Sequence, residues 1–551
     1  MPRWLSITLG LVAVLGIAGY LAFQQYWYYL PGIRAAIMDP VQPTREVVWE
    51  KGPDAPAATD RPPNIILIVA DDLGYNDITL SGGGVANGAV PTPNIDAIAK
   101  DGANLTQSYS GNATCAPSRA AMMTGRYATR FGFEFTPVPV QFAKLLGHME
   151  TNAQHPPIYH AELEKDVPPM AEMTVPTSET TLPEMLKAKG YRTLMLGKWH
   201  LGETAATRPE ARGFDEFLGF LGGAALFGET SDPNIVEARQ DFDPIDKFLW
   251  ANLPFAVVNN NKPGRFKPSK YMTDYLSEEA AKAIEANKHR PFFMYVAYNA
   301  PHTPLQALKS DYDALSGIEN HRLRVYAAMI RSLDRGVGHV VQAVKDAGLE
   351  DNTLIIFTSD NGGANYIGLP DINKPFRGWK ATFFEGGIRV PMLVKWPAKI
   401  TAGATFAGAA GHVDIFATAA AAAGADVPAD KKMDGVNLVP FITGEAQGAP
   451  HQTMFWRSGH YKVLLAGDWK LQVSARPAKS WLYNLKDDPT EKTNLAETNP
   501  EKLAELKALL DQIDGEQSKP LWPSLQEGAL AIDRPLDTPA VDGEEYIYWS
   551  N

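Results

Sequence analysis

Short apolar runs of strand length recur along the chain, and segments with helical periodicity separate them. The first run, residues 65–70, is apolar at every position, which is typical of a strand covered on both faces. Helices are predicted over 182–189, between the cap signals Thr181 and Gly190, and over about 322–347. This alternation predicts an α/β fold in which helices flank a large, mostly parallel sheet. The other runs are 193–196, 292–298, 354–358 and 392–394.

The pattern changes after about residue 445. Several short strand-like pieces follow at close spacing, which predicts a smaller antiparallel sheet. An amphipathic helix is expected after Asn499 and Pro500, with Leu503 and Leu506 on one face. Because 551 residues exceed what one small core organises, we expect a large domain over 63–445 and a smaller C-terminal subdomain over 446–551. The strand-like pieces are 454–456, 461–465, 469–473 and 481–485.

The N-terminus carries an apolar segment about as long as a bilayer-spanning helix. Residues 4–23 hold no charged side chain, and the aromatic residues 26–29 follow them like an interfacial belt. No clear cleavage site is visible, so residues 1–30 are predicted to be a membrane anchor in preference to a removed signal sequence. The Pro-rich stretch 31–62 is predicted to be a tether. We therefore expect an exported, periplasmic protein held at the inner membrane by its N-terminal helix.

Charge and cysteine content exclude several classes of function. A net charge of -12 argues against nucleic-acid binding, which needs clustered Lys and Arg. Apolar residues make up 45% and charged residues 21%, the balance of an ordinary globular protein. A single cysteine, Cys115, means that no internal disulfide can form. A lone cysteine is usually a small buried hydrophobic residue, so its neighbours must decide whether it has a chemical role.

Polar side chains follow the predicted strands at the points where those strands end. Each of them alone would more often be a cap or a turn former. In open α/β sheets, however, ligands bind beyond the carboxyl ends of the strands, so several such residues together predict one composite site. These residues are Asp71 and Asp72 after the first run, then Lys198 and His200, then His302, and finally Asp360 and Asn361.

The carboxylates of this set indicate a metal site. Asp71, Asp72, Asp360 and the amide oxygen of Asn361 are the hard ligands that Ca²⁺ prefers, with Mg²⁺ as the alternative. No Cys or His pair has zinc spacing. Converging carboxylates would repel one another without a cation. The competing interpretation is that Asp72 belongs to a simple turn.

Cys115 is followed by Pro117 and Arg119 and by a short helical pattern that ends at Gly125. Pro suits the first turn of a helix and Gly suits its end, so Cys115 is predicted to lie at a helix N-terminus. Backbone N–H groups favour an anion there, and Arg119 lies one turn further along on the same side. This context favours a chemical role for Cys115.

The segment 115–119 resembles the Cys-x-Pro-x-Arg signature of the type I sulfatases, members of the alkaline phosphatase superfamily. The resemblance covers about residues 64–500. It implies that Cys115 is converted to formylglycine by a maturation enzyme and that 63–445 is the catalytic domain. The further matching segments are 71–74, 124–126, 197–202, 300–302, 358–363, 377–380 and 385–387.

The resemblance also implies a role for each site residue. Asp71, Asp72, Asp360 and Asn361 would hold Ca²⁺. A hydroxyl of the hydrated aldehyde at position 115 would attack sulfur, and the second hydroxyl would later expel sulfate. Arg119 and Lys198 would stabilise the group at position 115, His200 would assist its deprotonation, and His302 and Lys380 would bind the sulfate, with His302 as a candidate proton donor to the leaving oxygen.

Several alternatives stay open at this point. A phosphonate or phosphodiester hydrolase of the same superfamily can use formylglycine, although Asn361 and the Lys198 and His200 pair favour sulfate. A binding protein that leaves Cys115 unmodified is a second alternative. The leaving alcohol, whether carbohydrate or small molecule, is not encoded in these motifs. Two long polar stretches, about 133–180 and 221–270, are expected to shape the substrate pocket.

Overall fold

The structure is a computed structural model that describes residues 3–55, 61–148, 154–260, 262 and 264–551. The segment 65–70 forms the centre of the main sheet, as its apolar composition predicts. The strands are β1 Asn64–Ala70, β2 Ala103–Leu105, β3 Ser108–Tyr109, β4 Ile158–Tyr159, β5 Arg192–Lys198, β6 Glu216–Phe220, β7 Ile235–Ala238, β8 Val258–Asn259, β9 Phe292–Ala297, β10 Leu305–Leu308, β11 Thr353–Ser359, β12 Met392–Lys395, β13 Ala404–Phe406, β14 Ala410–Gly411, β15 Thr453–Ser458, β16 Tyr461–Ala466, β17 Trp469–Ala475, β18 Ala478–Asn484, β19 Gln526–Ala531 and β20 Tyr546–Ser550.

Helices connect these strands and cover both faces of the main sheet. The helices predicted over 182–189 and about 322–347 are confirmed, each to within one residue at either end. The helices are α1 Arg3–Tyr26, α2 Leu30–Met38, α3 Thr79–Gly82, α4 Val85–Gly88, α5 Pro93–Lys100, α6 Cys115–Thr124, α7 Val140–His148, α8 Leu182–Ala188, α9 Pro244–Asn252, α10 Met272–Asn287, α11 Lys309–Asp313, α12 His321–Asp346, α13 Glu385–Ile388, α14 Val413–Ala423, α15 Val439–Ile442 and α16 Pro500–Asp514.

The main sheet has nine strands within the described residues, in the order β13-β2-β12-β11-β1-β9-β5-β6-β8. The central five, β11 to β6, are parallel to one another, and β12 and β8 run antiparallel to their inner neighbours. The register sets Ile65 opposite Leu354 of β11 and Phe293 of β9. The predicted α/β class with a mostly parallel sheet is confirmed.

The two faces of β1 contribute to two different hydrophobic cores. Ile66 and Ile68 pack with the helices α10 and α12 on one face. Ile65, Leu67 and Val69 pack with α6, α8 and α14 on the other face. Because successive strand residues point to opposite faces, a strand between two helical layers must be apolar throughout.

The C-terminal sheet is antiparallel, in the order β15-β16-β17-β18, and α16 packs against β16 and β17. The first three strands contain the predicted pieces and extend them by one to three residues, whereas β18 begins three residues before the predicted piece 481–485 and ends at Asn484. A further sheet was not anticipated: β19 pairs with β20 and with β4, so the last part of the chain joins the insertion at 133–180. The sequence alone shows no signal for pairing segments so far apart.

The segment expected to be a free tether, 31–62, differs from that expectation over much of its length. Leu30–Met38 is helical, and Val47 and Trp49 are buried against the large domain. The indole N–H of Trp49 donates to Glu279, and Arg45 donates to Asn259. Apolar residues spaced among the prolines account for this packing, since burial of Trp and Val is favourable. Residues 56–60 lie outside the described part of the chain.

The N-terminal helices are exposed along most of their length. Within the described residues, no helix alone has both the length and the apolar composition of a membrane span. The segments Ile7–Phe23 and Trp27–Met38 together meet that criterion, with a bend of 58° between them.

Candidate active site

The ends of four neighbouring strands bring the predicted site residues together. β1, β11, β9 and β5 lie side by side in the sheet, so the residues that follow them meet at one edge. The backbone N–H of Asp72 donates to Asp360 Oδ1 at 3.1 Å, and that of Asp71 donates to the carbonyl of Ala300 at 3.0 Å. Ala300 is two residues before His302. These bonds fix the three loops relative to one another.

Three buried carboxylates face three cationic side chains. Lys198 Nζ lies 2.8 Å from both carboxylate oxygens of Asp71. Arg119 bonds Asp360 Oδ2 through Nε at 2.9 Å and pairs with it through Nη2 at 2.8 Å. Lys380 Nζ lies 2.8 Å from Asp72 Oδ2. Buried charges require such partners, because desolvation strongly disfavours an isolated ion.

Cys115 is the first residue of α6, and its side chain is 3% exposed. Its Sγ lies 3.9 Å from Asp72 Oδ1. The predicted helix start and the Gly125 stop are both confirmed, because Gly125 takes the left-handed conformation with φ +67° that ends α6. Burial raises the pKa of the Cys115 thiol to about 12, despite the nearby charges of Lys198 and Lys380. The unmodified thiol is therefore protonated near neutral pH and is a poor nucleophile.

His302 and Lys380 lie together on the open side of the site. His302 Nδ1 lies 2.6 Å from the carbonyl of Thr303, so Nδ1 carries the proton and Nε2 faces Lys380 Nζ at 3.3 Å. His302 Nε2 is also 3.6 Å from Asp72 Oδ2. Burial and the nearby charge of Lys380 lower the pKa of His302 to about 3, although Asp72 opposes the change.

His200 follows β5 in a left-handed conformation with φ +60°. The ring is buried, and Nδ1 has no hydrogen-bond partner among the described residues. Burial and the adjacent charge of Lys198 hold the pKa of His200 well below its ordinary value. A neutral imidazole with an unused ring nitrogen can accept a proton or bind a polar group of a substrate.

The donor set fits a divalent cation. Asn361 Nδ2 donates to Asp72 Oδ1 at 2.8 Å and to the carbonyl of Gly362 at 2.9 Å. This leaves the buried Oδ1 of Asn361 without a partner among the described residues. Burial raises the pKa of Asp71 to about 7 even beside Lys198. A carboxylate whose burial outweighs the effect of its lysine partner, together with an orphaned amide oxygen, is what a hard cation would satisfy.

Only two of the three carboxylates belong to the compact group of side chains whose atoms could bind one metal ion. Ligand atoms of Asp71, Asp72, Cys115 and His302 all lie within 4.8 Å of one another. Asp360 does not belong to this group, and its oxygens accept from Arg119 Nε and from the N–H of Asp72. The assignment of Asp360 and Asn361 as ligands therefore stays a prediction, as do the roles of the other site residues.

Two tyrosines in the site were missed by sequence analysis. Tyr295, on β9, accepts a hydrogen bond from Arg119 Nη1 at 3.0 Å. The Tyr366 hydroxyl donates to Asp72 Oδ2 at 2.9 Å and accepts from Lys380 Nζ at 3.1 Å. Tyr295 lies within an apolar run and Tyr366 in a single 3₁₀ turn, Asn365–Ile367, so neither position stands out in the sequence.

Comparison with known proteins agrees with this geometry. The sulfatase family model matches residues 63–425, and a model described as N-sulphoglucosamine sulphohydrolase, C-terminal, matches residues 377–518. N-acetylgalactosamine-6-sulfatase of Homo sapiens is 34% identical over 69% of this chain and 66% of its own length. Steryl-sulfatase of Mus musculus is 30% identical over 74% of this chain and 70% of its own length.

A solved structure extends the likeness to the fold. Ps i-CgsB, in complex with k-i-k-neocarrahexaose, is 34% identical to this chain and superimposes with a TM-score of 0.68. The match covers 84% of this chain and 95% of that chain. The family model over residues 63–425, the similar relatives and the shared fold agree, and the chain belongs to the sulfatase family.

Proposed function

We propose that this protein hydrolyses sulfate monoesters to an alcohol and inorganic sulfate, with residue 115 in its formylglycine form as the nucleophile. The observation that carries the proposal is the position of Cys115. Its Sγ lies at the start of α6, 3.9 Å from Asp72 Oδ1, at a junction of three carboxylates and three cations. The relatives and solved structural neighbours of this chain favour sulfate ester hydrolysis over phosphonate hydrolysis or binding without catalysis.

The state of the thiol supports the modification. A thiol whose pKa is raised to about 12 by burial cannot supply a useful fraction of thiolate at neutral pH. Formylglycine, installed by a separate maturation enzyme, would instead supply a hydrated aldehyde oxygen for attack on sulfur. The side chain at position 115 would then need only to be held and deprotonated, and the surrounding residues are suited to both tasks.

We propose Asp71, Asp72, Asp360 and Asn361 as the residues that hold a divalent cation, Ca²⁺ in preference to Mg²⁺. Four oxygen donors without a nitrogen or sulfur partner suit calcium, which accepts irregular oxygen shells. A cation here would act as a Lewis acid on a sulfate oxygen. The orphaned Oδ1 of Asn361 and the raised pKa of Asp71 support this assignment.

The remaining side chains have positions that suit the expected roles. Arg119 and Lys198 lie deepest, fully buried beside Asp360 and Asp71, and would stabilise negative charge at position 115. His200 offers a neutral nitrogen that can take a proton from the group at position 115.

Lys380 and His302 lie nearer the surface and would bind the sulfate group. His302 holds its Nδ1 proton on the carbonyl of Thr303 and directs Nε2 into the site. A bound sulfate ester brings negative charge next to this imidazole, which favours its protonated form. His302 would then donate the Nε2 proton to the leaving oxygen.

We propose a sulfated carbohydrate as the substrate. Two relatives support this choice by their names, N-acetylgalactosamine-6-sulfatase and Ps i-CgsB with its bound neocarrahexaose, whereas the name of steryl-sulfatase supports a steroid. The two polar insertions of the sequence meet beside the site. Pro137, Met170 and Met173 from the first and Leu221 from the second line one cavity together with His200.

We also propose export to the periplasm, with the N-terminal helices as a membrane anchor. The exposed apolar segments Ile7–Phe23 and Trp27–Met38 together have the length and composition of a span. We further propose domain boundaries near residues 63 and 445. The family model begins at residue 63, and β15 begins at Thr453.

One experiment tests the nucleophile and the substrate class together. The protein is produced with and without a formylglycine-generating enzyme, and the peptide that carries Cys115 is analysed by mass spectrometry. We expect loss of the sulfur atom only in the first sample, together with turnover of an aryl sulfate and of sulfated oligosaccharides. The Cys115→Ala variant is expected to lose this turnover. Preference for an aryl phosphonate, or full turnover with an intact thiol, would contradict the proposal.

A further inference from the structure

Tyr366 lies in the loop after β11. It falls between the segments 358–363 and 377–380, which carry the sulfatase resemblance, and belongs to neither of them. Its side chain is half-buried, and its hydroxyl oxygen lies 2.9 Å from Asp72 Oδ2 and 3.1 Å from Lys380 Nζ. Its ring is also close to Lys380, whose Nζ is 5.6 Å from the ring centroid. One side chain therefore contacts both a proposed metal ligand and a proposed sulfate-binding cation.

The hydrogen bonds among these three residues form a closed set. Tyr366 donates to Asp72 Oδ2, Lys380 donates to the Tyr366 oxygen, and Lys380 also donates to Asp72 Oδ2 at 2.8 Å. A lysine ammonium on its four-carbon stem has many available positions, and each fixed contact removes some of them. The tyrosine hydroxyl thus restricts where the charge of Lys380 can lie.

The two carboxylate oxygens of Asp72 face different neighbours. Oδ2 accepts from Tyr366 and Lys380, whereas Oδ1 accepts from Asn361 Nδ2 and faces Cys115 Sγ at 3.9 Å. Rotation of the carboxylate would exchange these environments. The bond from Tyr366 opposes that rotation and keeps Oδ1 toward Asn361 and Cys115.

The loop that presents Tyr366 is itself held by distant parts of the chain. The N–H of Leu536 donates to the carbonyl of Asn365 at 3.0 Å. Arg322 Nη1, from α12, donates to the carbonyl of Gly368 at 3.0 Å and to Asp537 Oδ2 at 2.8 Å. The C-terminal tail and α12 therefore fix the backbone on both sides of Tyr366.

We propose that Tyr366 is a positioning residue for the reaction, which orients Asp72 toward the metal and Lys380 toward the sulfate group. The substrate part of this inference rests on the proposed sulfatase activity, and the metal part rests on the proposed cation site and is tested without a substrate. Groups that hydrogen-bond a metal ligand from behind commonly change metal affinity or activity by about 10- to 100-fold when they are removed. The Tyr366 hydroxyl has the position of such a group.

The test is the Tyr366→Phe variant in the full chain, which removes the hydroxyl and keeps the ring. Calorimetric titration with Ca²⁺ of metal-stripped protein is expected to show about tenfold weaker binding than the wild type. At saturating Ca²⁺, the KM for an aryl sulfate is expected to rise several-fold with kcat changed less than about twofold. A misplaced Lys380 would weaken ground state and transition state alike, and such losses raise KM alone.

Tyr298→Phe is the matched control. Tyr298 is fully buried, and the variant removes a hydroxyl that bonds Ser277 Oγ of α10 at 2.8 Å and contacts none of the proposed site residues. Its metal affinity and KM are expected to match the wild type even where thermal stability falls. The inference is overturned if Tyr366→Phe keeps either its Ca²⁺ affinity or its KM within about twofold of the wild type. If the wild type hydrolyses no sulfate ester, the proposed function fails, and the calorimetric result still decides the role of Tyr366.

Discussion

The ammonium of Lys470 lies 2.8 Å from Glu385 Oε1 and 2.9 Å from Glu491 Oε1, and all three side chains are buried. Lys470 belongs to β17 of the C-terminal sheet, whereas Glu385 begins α13. The carbonyl of Gly387, within α13, accepts from the N–H of Gly362, the residue after Asn361. A buried ion pair thus connects the C-terminal sheet to the loop that presents a proposed metal ligand.

The Lys470→Met variant tests this connection. It would leave two buried carboxylates without their common cation, and removal of one partner from such a group costs about 3–5 kcal/mol. The free energy of unfolding in urea is expected to fall by this amount. The control is Lys507→Met, which breaks an exposed pair with Asp511 and should cost less than about 1 kcal/mol. Equal losses in the two variants would contradict a structural role for the buried pair.

Metal removal should destabilise the protein as well as inactivate it. A ligand that binds only the folded state stabilises it by about 2.7 kcal/mol at a hundredfold excess over its Kd. Stripping with a chelator is expected to lower the thermal midpoint, and Ca²⁺ is expected to restore it more effectively than Mg²⁺. The measurement is a thermal melt with each ion added back.

The Asn361→Ala variant is the control for the metal prediction. It removes the orphaned Oδ1 that we assign to the cation, together with the bond to Asp72. We expect a smaller shift of the thermal midpoint on addition of Ca²⁺ than in the wild type. A shift of the same size would show that the ion binds elsewhere.

Replacement of His302 by Ala should affect substrates according to their leaving groups. If His302 donates a proton to the departing oxygen, its loss should lower kcat about 10²- to 10⁴-fold for a carbohydrate or alkyl sulfate. The loss should be much smaller for 4-nitrophenyl sulfate, whose leaving group departs without protonation. Steady-state kinetics on both substrates measures the difference. A uniform loss would indicate sulfate binding by His302 without proton transfer.

The sequence predicted those parts of the site that local pattern controls. Asp71 stands directly after one apolar run and Asp360 two residues after another, and the strand ends converge because β1 and β11 are adjacent and parallel. Cys115 could be placed at a helix start because Pro117 and Gly125 are local signals that do not depend on tertiary structure.

Long-range contacts could not be predicted in the same way. Tyr366 reaches Asp72 only because Leu536 and Arg322 hold its loop, and no local pattern encodes those contacts. The pairing of Gln526 in β19 with Tyr159 in β4 likewise joins segments that are separated by most of the chain. Strand pairing of this kind depends on the folded arrangement of everything between the two segments.

The C-terminal tail is expected to loosen in acid, because ion pairs hold it. Burial would raise the pKa of Glu527, on β19, but its bonds with His460 and Arg476 dominate and lower it to about 2. A carboxyl whose pKa is lowered in the folded state stabilises that state above its unfolded value of about 4.5. That contribution is lost as the pH falls through the interval from about 4.5 to 2. The pKa of Glu545, which precedes β20, is also lowered to about 2, because its bonds with Lys479 and Arg377 outweigh the effect of burial.

Limited digestion with pepsin between pH 4.5 and 2.5 measures this loosening, since the protease is active throughout the interval. Cleavage within residues 526–550 is expected to accelerate as the pH falls, before the main sheet is digested. The Glu527→Gln variant lacks the titrating group and cannot form the ion pair with Arg476, so its tail should be cleaved faster at pH 4.5 and should accelerate less on acidification. Because Arg322 and Asp537 join the same tail to the Tyr366 loop, early release of the tail should also raise the KM for a sulfate ester in this variant. A tail that resists pepsin equally in both proteins down to pH 2.5 would mean that the strand pairing of β19 and β20, and not the charge on Glu527, holds it in place.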